Sequence, residues 1–404
     1  MAAEKKKPYV RIRSTDRMKE LLTGYYIEAK TAPGTGKQVC WITSGGPVEF
    51  LIAMDVIPVY PENHGAMCGA AKMAVELAEV AENRGFSRDL CSYARLDIGQ
   101  AITSGGPIGG LPRPDFLLCC NNICGTVVKW YEEVSRYYNV PLFLMDTPFI
   151  HLKSTGHAAE YVRRQCLELV EFLEKQTGKD FSLERFAEVA MLSVESVELW
   201  KEVLSAAQHR PSPLTCFDAF IHMAPIVTLR GTREVVEYYR GLKAEMAERI
   251  ESGISAVPEE KYRLIWDNIP IWYAMRSLGK LFADNGACLV ADTYTTAWAV
   301  DIRVDDPLTS MADAYTRVHL NISIDLMLEQ LLGLIERFDA DGVVMHSNRS
   351  CKPYSLGQYD LARWVTGKTG KPVLIIEADM TDSRAYSEAQ VRERVDAFIE
   401  SLGT

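Results

Sequence analysis

Three of the ten cysteines stand beside predicted strand ends, where a site could form. Cys124 follows the apolar run 115–121, Cys351 follows the apolar run 342–347, and Cys91 precedes them in the chain. In open parallel sheets, ligands bind in the crevice at the carboxyl ends of the strands. Three thiolates that converge there can hold an iron–sulfur cluster. Their dispersed spacing is by itself only weak support for such a cluster.

The remaining polar residues offer few alternatives. Most other cysteines lie in apolar or helical stretches, which predicts buried, inert thiols at Cys68, Cys166, Cys216 and Cys288. The seven histidines form no paired metal-binding spacing. Three are expected at the surface or in loops: His64, His151 and His319. His346 stands close to Cys351 and could line a site.

Cys124 also allows a different chemistry. It lies at the start of the predicted helix 125–138, where the helix dipole lowers the pKa of a thiol. It could therefore be the nucleophile of a hydrolase, although the sequence identifies no partner base. Two glycine-rich stretches carry no nucleotide motif. The segment 34–37 (GTGK) would end a phosphate-binding loop only if position 31 were glycine, and that position is Thr31. The segment 105–110 is not followed by a helix, which predicts a flexible loop.

The elements that must position these residues alternate between short apolar strands and amphipathic helices. Strands are predicted at 38–44, 56–63, 115–121, 140–146, 261–270, 286–294, 342–347 and 372–379. Strands that are apolar without alternation are typical of parallel sheets covered on both faces. A helical stretch separates the first four strands from the last four. The sequence thus predicts an α/β protein with two Rossmann-like parallel-sheet domains (1–156 and 259–404) joined by a helical segment (157–258).

The composition narrows the function. The chain has 404 residues, of which 48% are hydrophobic, and its 44 basic and 54 acidic residues give a net charge of −10. This balance argues against binding to nucleic acid through a general positive field. Because no run of about eighteen apolar residues occurs, we expect no membrane span and a cytoplasmic location.

Three cysteine-containing segments resemble a known family. DLCSYARLDIG (89–99), PDFLLCCNNICGTVVKWYEEVSR (114–136) and HSNRSCKPYSLGQYDLAR (346–363) are similar to the larger (alpha) subunit of the (R)-2-hydroxyacyl-CoA dehydratases. These enzymes share a family with the ATP-dependent benzoyl-CoA reductases. Two other segments, 230–253 and 280–295, look closer to the B subunit of those reductases. The resemblance runs along nearly the whole chain.

The resemblance implies a cofactor and partners. Cys91, Cys124 and Cys351 would hold a [4Fe–4S] cluster in which one iron has no cysteine ligand. An ATP-dependent iron–sulfur activator would supply one electron to an acyl-CoA thioester, and a homologous second subunit would complete a heterodimer. The ketyl radical anion formed on the substrate would expel the 2-hydroxyl group. The enoxy radical left behind would lose a proton from C3, and return of the electron would then leave a 2-enoyl-CoA. The protein would be a hydro-lyase.

The resemblance also points to residues near the open iron. Ser44 would hydrogen-bond a water or the thioester carbonyl, or it could be a turn or helix-capping serine. Glu62 would accept a proton or bind the leaving hydroxyl, or it could be a solvated loop residue. Cys124 is favoured over its neighbours Cys119 and Cys120, because alternation along a strand would bury those two on opposite faces.

Side chains next to the cysteines could support the cluster. Asn121, Asn122 and Ser350 are candidates for hydrogen bonds to sulfur. Lys352 and Arg349 could offset the charge of the cluster or of the CoA phosphates. Two other functions stay open: a subunit of a benzoyl-CoA reductase type of enzyme, which would use two electrons per product, and a non-catalytic, electron-carrying relative.

Overall fold

The computed structural model describes residues 10–152, 156–303 and 305–403. Two four-stranded sheets, each entirely parallel, form its framework. The first contains β1 (Val39–Ile42), β2 (Ile57–Val59), β3 (Phe116–Cys120) and β4 (Leu142–Met145). The second contains β5 (Tyr262–Asp267), β6 (Ala287–Asp292), β7 (Gly342–Asn348) and β8 (Val373–Ala378). The predicted α/β class with two parallel sheets is confirmed, and every strand but β7 is shorter than its apolar run.

Helices cover the sheets and fill the sequence between them. Around the first sheet lie α1 (Ser14–Thr35), α2 (Val48–Ala53), α3 (Pro61–Ala70), α4 (Ala74–Asn83), α5 (Ser92–Thr103) and α6 (Gly125–Tyr138). The middle of the chain holds α7 (Gly156–Thr177), α8 (Leu183–Ser205), α9 (Cys216–His222), α10 (Ala224–Thr228) and α11 (Arg233–Glu251). The last part holds α12 (Met275–Asp284), α13 (Pro307–Thr316), α14 (Ile324–Arg337), α15 (Lys352–Ser355), α16 (Gln358–Thr369) and α17 (Glu388–Leu402). The domain boundaries at 156 and 258 stay a prediction. No helix of the described residues is both long and apolar enough to cross a bilayer.

Both sheets have the same strand order. The first strand in sequence lies between the second and the third, giving β2-β1-β3-β4 and β6-β5-β7-β8. The direction of winding therefore reverses between β1 and β3 and again between β5 and β7, which makes each of these gaps a topological switch point. Ser44 follows β1 and Cys124 follows β3, whereas Cys351 follows β7. The chain thus carries candidate site residues to both switch points.

The strand β3 confirms the expected burial of two cysteines. Cys119 and Cys120 are both fully buried. Because successive side chains of a strand point to opposite faces, Cys119 packs into one hydrophobic cluster and Cys120 into another. Both serve the core, as alternation predicts.

The region between β2 and β3 differs most from expectation. The residues 60–63, taken as the end of a strand, begin helix α3, with Pro61 at its first position, where a missing N–H costs nothing. The stretch 67–83, whose apolar residues have helical spacing, belongs to two helices, α3 and α4, which are separated where Lys72 takes a left-handed conformation (φ 59°). Cys91 lies between helices α4 and α5, so its expected place beside a strand end is wrong.

The two halves are joined by buried charge and hydrogen bonds. The Arg95 side chain, 2% exposed, bridges Glu82 at 2.6 Å and Asp382 at 3.1 Å. The Ser92 N–H donates to Ser350 Oγ at 3.1 Å, which links the segment after Cys91 to the segment before Cys351. A continuous hydrophobic cluster also contains residues of both sheets.

Candidate active site between the two sheets

All five candidate site residues line one cavity of about 130 Å³ between the two halves. They are Ser44, Glu62, Cys91, Cys124 and Cys351. The three thiols are close enough to interact electrostatically, since Cys124 and Cys351 both raise the pKa of Cys91. Residues more than 200 positions apart in the sequence therefore meet in one place.

Each of the three cysteines immediately precedes a helix. Cys91 caps α5, Cys124 caps α6 and Cys351 caps α15. These thiols make no close capping hydrogen bond, but backbone N–H groups act on each of them in the direction that lowers its pKa. One such group lies three residues further on in every case: Ala94, Val127 and Tyr354, respectively. Backbone N–H groups at a helix start favour negative charge, which suits thiolate ligands.

Burial acts on the thiols in the opposite direction and dominates. It raises the pKa of Cys91 and Cys124, and it raises the pKa of Cys351 to about 12. In the chain alone the three thiols are therefore protonated at neutral pH. Because a metal binds the thiolate, loading this site must release protons.

The three thiols line one cavity, but they do not form a site for a single metal ion. Among the described residues, no group of three or more His, Cys, Asp or Glu side chains could hold a metal ion. A single ion such as zinc requires sulfur donors within about 2.3 Å of one point. In a cubane cluster each cysteine binds a different iron, so the sulfurs surround a larger body. Cys91, Cys124 and Cys351 are each half-buried and line one largely apolar cavity.

Glu62 lies in the first turn of α3 and faces Ser44 across the cavity wall. The Ser44 N–H donates to Glu62 Oε1 at 3.0 Å, whereas Glu62 Oε2 is buried without a hydrogen-bond partner among the described groups. Burial raises the pKa of Glu62 to about 7, against the hydrogen bonds from Ser44. A carboxyl group with a pKa near neutrality can both give and take a proton.

Sequence reasoning missed a buried charge network that reaches the same cavity. Arg230 lines the cavity, and its Nε donates to Glu49 Oε1 at 3.1 Å. The hydroxyl of Tyr315 donates to Glu49 Oε2 and accepts from Arg230, both at 2.6 Å. The Ser193 hydroxyl also donates to Glu49, at 2.9 Å. The available signal was Glu49 itself, a carboxylate within the apolar run 47–54.

Aromatic side chains form most of the remaining wall. Tyr93 accepts a hydrogen bond from Trp272 Nε1 at 2.5 Å, and Tyr294 and Trp298 stand beside Glu62. These rings exclude water from the space around the carboxyl group. Exclusion of water strengthens every electrostatic interaction inside the cavity.

The residues proposed to support sulfur have other partners. Asn122 Nδ2 donates to the carbonyl groups of Gly45 and Tyr315, at 2.9 and 2.7 Å. Asn121 Nδ2 donates to Asp146, and Ser350 binds Ser92. These side chains hold the loops around the cysteines. Their hydrogen bonds are to oxygen and backbone nitrogen atoms.

The charged and histidine candidates have partners of their own, although the charge of Lys352 also acts on the neighbouring Cys351 and opposes the rise in pKa that burial causes. Arg349 forms an exposed ion pair with Asp89, and Lys352 Nζ donates to the carbonyl of Arg349 at 2.6 Å. His346 is buried with Nδ1 on the carbonyl of Ile269, and it is not among the residues that line the cavity.

The surface or loop positions expected for two histidines are wrong. His64 is fully buried and His319 is 7% exposed. His64 lies within α3, packed beneath the glycine-rich loop, and His319 lines the cavity. The four cysteines expected to be buried are buried.

Comparison with known proteins gives the family. The family model described as 2-hydroxyglutaryl-CoA dehydratase, D-component, matches residues 43–402. The chain belongs to this family. It is 38% identical over 390 residues to the (R)-2-hydroxyisocaproyl-CoA dehydratase alpha subunit of Clostridioides difficile, covering 95% of this chain and 94% of the relative.

Two further relatives are a dehydratase subunit and a reductase subunit. The alpha subunit of lactoyl-CoA dehydratase from Anaerotignum propionicum is 34% identical, covering 93% of each chain. The B subunit of benzoyl-CoA reductase from Thauera aromatica is 30% identical, covering 100% of this chain and 97% of the relative. The predicted family and the predicted enzyme class, a hydro-lyase, are confirmed. The reductase is the more distant of these relatives.

Proposed function

We propose that this chain is the iron–sulfur-containing alpha subunit of an (R)-2-hydroxyacyl-CoA dehydratase, which converts a 2-hydroxyacyl-CoA into a 2-enoyl-CoA. The observation that carries the proposal is the single cavity lined by Cys91, Cys124, Cys351, Ser44 and Glu62. The dehydratase names of the relatives at 34–38% identity support this branch over the reductase branch.

Cys91, Cys124 and Cys351 are the proposed ligands of a [4Fe–4S] cluster. When bound, such a cluster supplies one-electron chemistry and an iron that has no cysteine ligand. The three helix N-termini behind the cysteines stabilise the thiolate form. Two of the ligands come from the first half of the chain and one from the second, so the cluster would also join the halves.

Glu62 and Ser44 carry the proposed acid–base and positioning roles. Glu62 Oε2 has no hydrogen-bond partner of its own among the described groups and is available to the substrate. With its pKa near 7, Glu62 can take the proton lost from C3 of the substrate and can protonate the departing hydroxyl. Ser44 holds the other carboxyl oxygen through its backbone N–H, and its side chain also acts on Glu62, against the effect of burial on the carboxyl pKa. The aromatic wall keeps water out while the proton moves.

The proposal includes two protein partners. Relatives named as alpha subunits support a second subunit, which we propose to be homologous to this chain. An ATP-dependent iron–sulfur activator is the proposed source of the electron. The substrate is a CoA thioester.

The decisive experiment measures iron and acid-labile sulfide in the anaerobically purified protein with its second subunit. We expect Cys91→Ala, Cys124→Ala and Cys351→Ala each to lower iron, sulfide and activity. Cys120→Ala is the matched control, because Cys120 is a buried core cysteine from the same segment as Cys124. Unchanged iron in the three variants would overturn the ligand assignment.

The same preparation separates the two branches of the family. With activator, ATP and reductant, a dehydratase forms a 2-enoyl-CoA from a 2-hydroxyacyl-CoA while consuming electrons only catalytically. Two electrons consumed per product, from an aromatic acyl-CoA, would instead identify a reductase.

A further inference from the structure

A second cavity, of about 300 Å³, adjoins the first behind Glu62. Ser44, Glu62, Tyr294 and Trp298 line both cavities. The second cavity lies between α1, α3 and the α9–α10 pair, and its other walls are chiefly apolar. Glu62 therefore borders both cavities.

A surface groove of about 460 Å³ adjoins the second cavity. Leu22 and Met67 line both the cavity and the groove. The groove runs on past Ile27, which is 58% exposed, to Ile108 in the glycine-rich loop 105–110. This loop carries no nucleotide motif, and here it supplies part of the outer wall.

The second cavity and the adjoining groove together are called the passage, and one side of it is a row of side chains on helix α1. Met18, Leu22, Tyr26 and Lys30 follow one another at intervals of four residues and so share a face of the helix. At the usual rise of an α-helix the row is about 18 Å long. It leads from the apolar cavity at Met18 to a cationic side chain at Lys30.

The outer groove is positively charged within an acidic protein. Lys19 and Lys30 line the groove, although the chain as a whole has a net charge of −10. The acidic residues of α1 are engaged by other cations: Asp16 with Arg11, Glu20 with Arg17, and Glu28 with Lys37. Lys30 Nζ donates to the uncharged carbonyl groups of Ile108 and Gly109, the latter at 3.0 Å. Its charge thus remains available to an anion.

We propose that this passage binds the CoA part of the substrate, with the pantetheine arm in the apolar cavity and the phosphates at Lys19 and Lys30. This inference rests on the proposed function and extends it by stating how the thioester is oriented in the site. The acyl end would lie beside Glu62 and the cysteines. An elongated, uncharged arm that ends in phosphates matches an apolar cavity beside a groove that carries two lysines.

The test is thioester binding by the anaerobic complex with the second subunit, measured by calorimetry without activator. The probes are 4-methylpentanoyl-CoA, which lacks the reacting hydroxyl, and 4-methylpentanoyl-pantetheine, which lacks the phosphates. We expect Lys19→Glu combined with Lys30→Glu to weaken binding of the CoA thioester roughly ten-fold or more and to leave the pantetheine thioester unaffected. The affinity lost should shrink as salt is added.

Two further variants control the result. Lys368→Glu changes the charge of the exposed helix α16 far along the chain and should not alter binding. Ala70→Trp, at an exposed residue that lines the second cavity, should fill the passage and weaken both thioesters while iron content stays unchanged.

The outcomes separate the two proposals. If the wild-type complex binds neither thioester, the proposed function fails. If it binds the CoA thioester and the double lysine variant binds it equally well, only the assigned passage is wrong. Dissociation of the second subunit on lysine reversal, with CoA affinity retained, would mean that the groove is a subunit interface and would also overturn the assignment.

Discussion

Replacement of Glu62 by glutamine is the sharpest test of the acid–base site. Glutamine keeps an oxygen that can accept the Ser44 N–H, now 3.0 Å from Glu62 Oε1, and it has nearly the same volume. It cannot exchange a proton. The change therefore removes the proposed chemistry and leaves the shape of the cavity in place.

We expect Glu62→Gln to lower kcat for dehydration by about 10²- to 10⁴-fold, the usual contribution of a general acid–base group. Iron content and thioester affinity should stay close to those of the wild type. The kcat of the wild type should change across pH 7, where Glu62 titrates, and this limb should disappear in the variant. A variant that keeps a third or more of the activity with the same pH profile would refute the proposed role.

The pH dependence of protein stability tests the ionisation of the same carboxyl group independently. Burial raises the pKa of Glu62 from 4.5 to about 7, so between these values the folded state holds a proton that the unfolded state has lost. The free energy of unfolding must therefore fall as pH rises through this window, by roughly 3 kcal/mol at most. The free energy of unfolding, measured with urea at several pH values, should show this fall in the wild type and not in Glu62→Gln. If the unfolding free energy of both proteins depended on pH in the same way, Glu62 would have the ordinary pKa of a glutamate.

Other substitutions test how the fold holds the site, each measured by urea unfolding. Arg95→Met removes one of the two arginines that pair with Asp382, and Arg384 stays at 2.7 Å, so we expect a loss of about 1–3 kcal/mol; an unchanged midpoint would contradict the linkage of the halves. Gly99→Ala would bring a methyl group within 2.0 Å of the Leu77 carbonyl oxygen and should cost about 1–3 kcal/mol. Gly241→Ala, with nothing within 4 Å, should instead add about 1 kcal/mol, and a loss there would show that helix propensity does not decide the outcome.

The sheets were predictable because their strands carry a local signal. All eight apolar runs contain a strand, since strands buried on both faces need apolar residues throughout. The ends of the strands were harder to predict from the sequence. The run over 56–63 includes Pro61, and the sequence alone does not say whether the chain there extends the strand or opens a helix. The structure uses it to open α3, which brings Glu62 to the cavity.

The charge network around Arg230 lacked such a signal. Its partner Glu49 is 181 residues away, and Tyr315 is a further 85 residues along the chain. No periodicity connects positions so far apart, and packing alone decides that they meet. A carboxylate in an apolar stretch predicts that some partner exists, because a buried charge is rarely left alone. It does not identify the partner.

The position of the cysteines follows from topology more than from their local sequence. Each sheet reverses its winding between its first and third strands, and Cys124 and Cys351 follow the third strand of their respective sheets. Cys91 joins them through the contact of Ser92 with Ser350 across the two halves. Because the three thiols depend on this contact, a change that separates the halves should empty the proposed cluster site even when every cysteine is intact. Retention of iron would be tied to the packing between the sheets as well as to the ligands themselves.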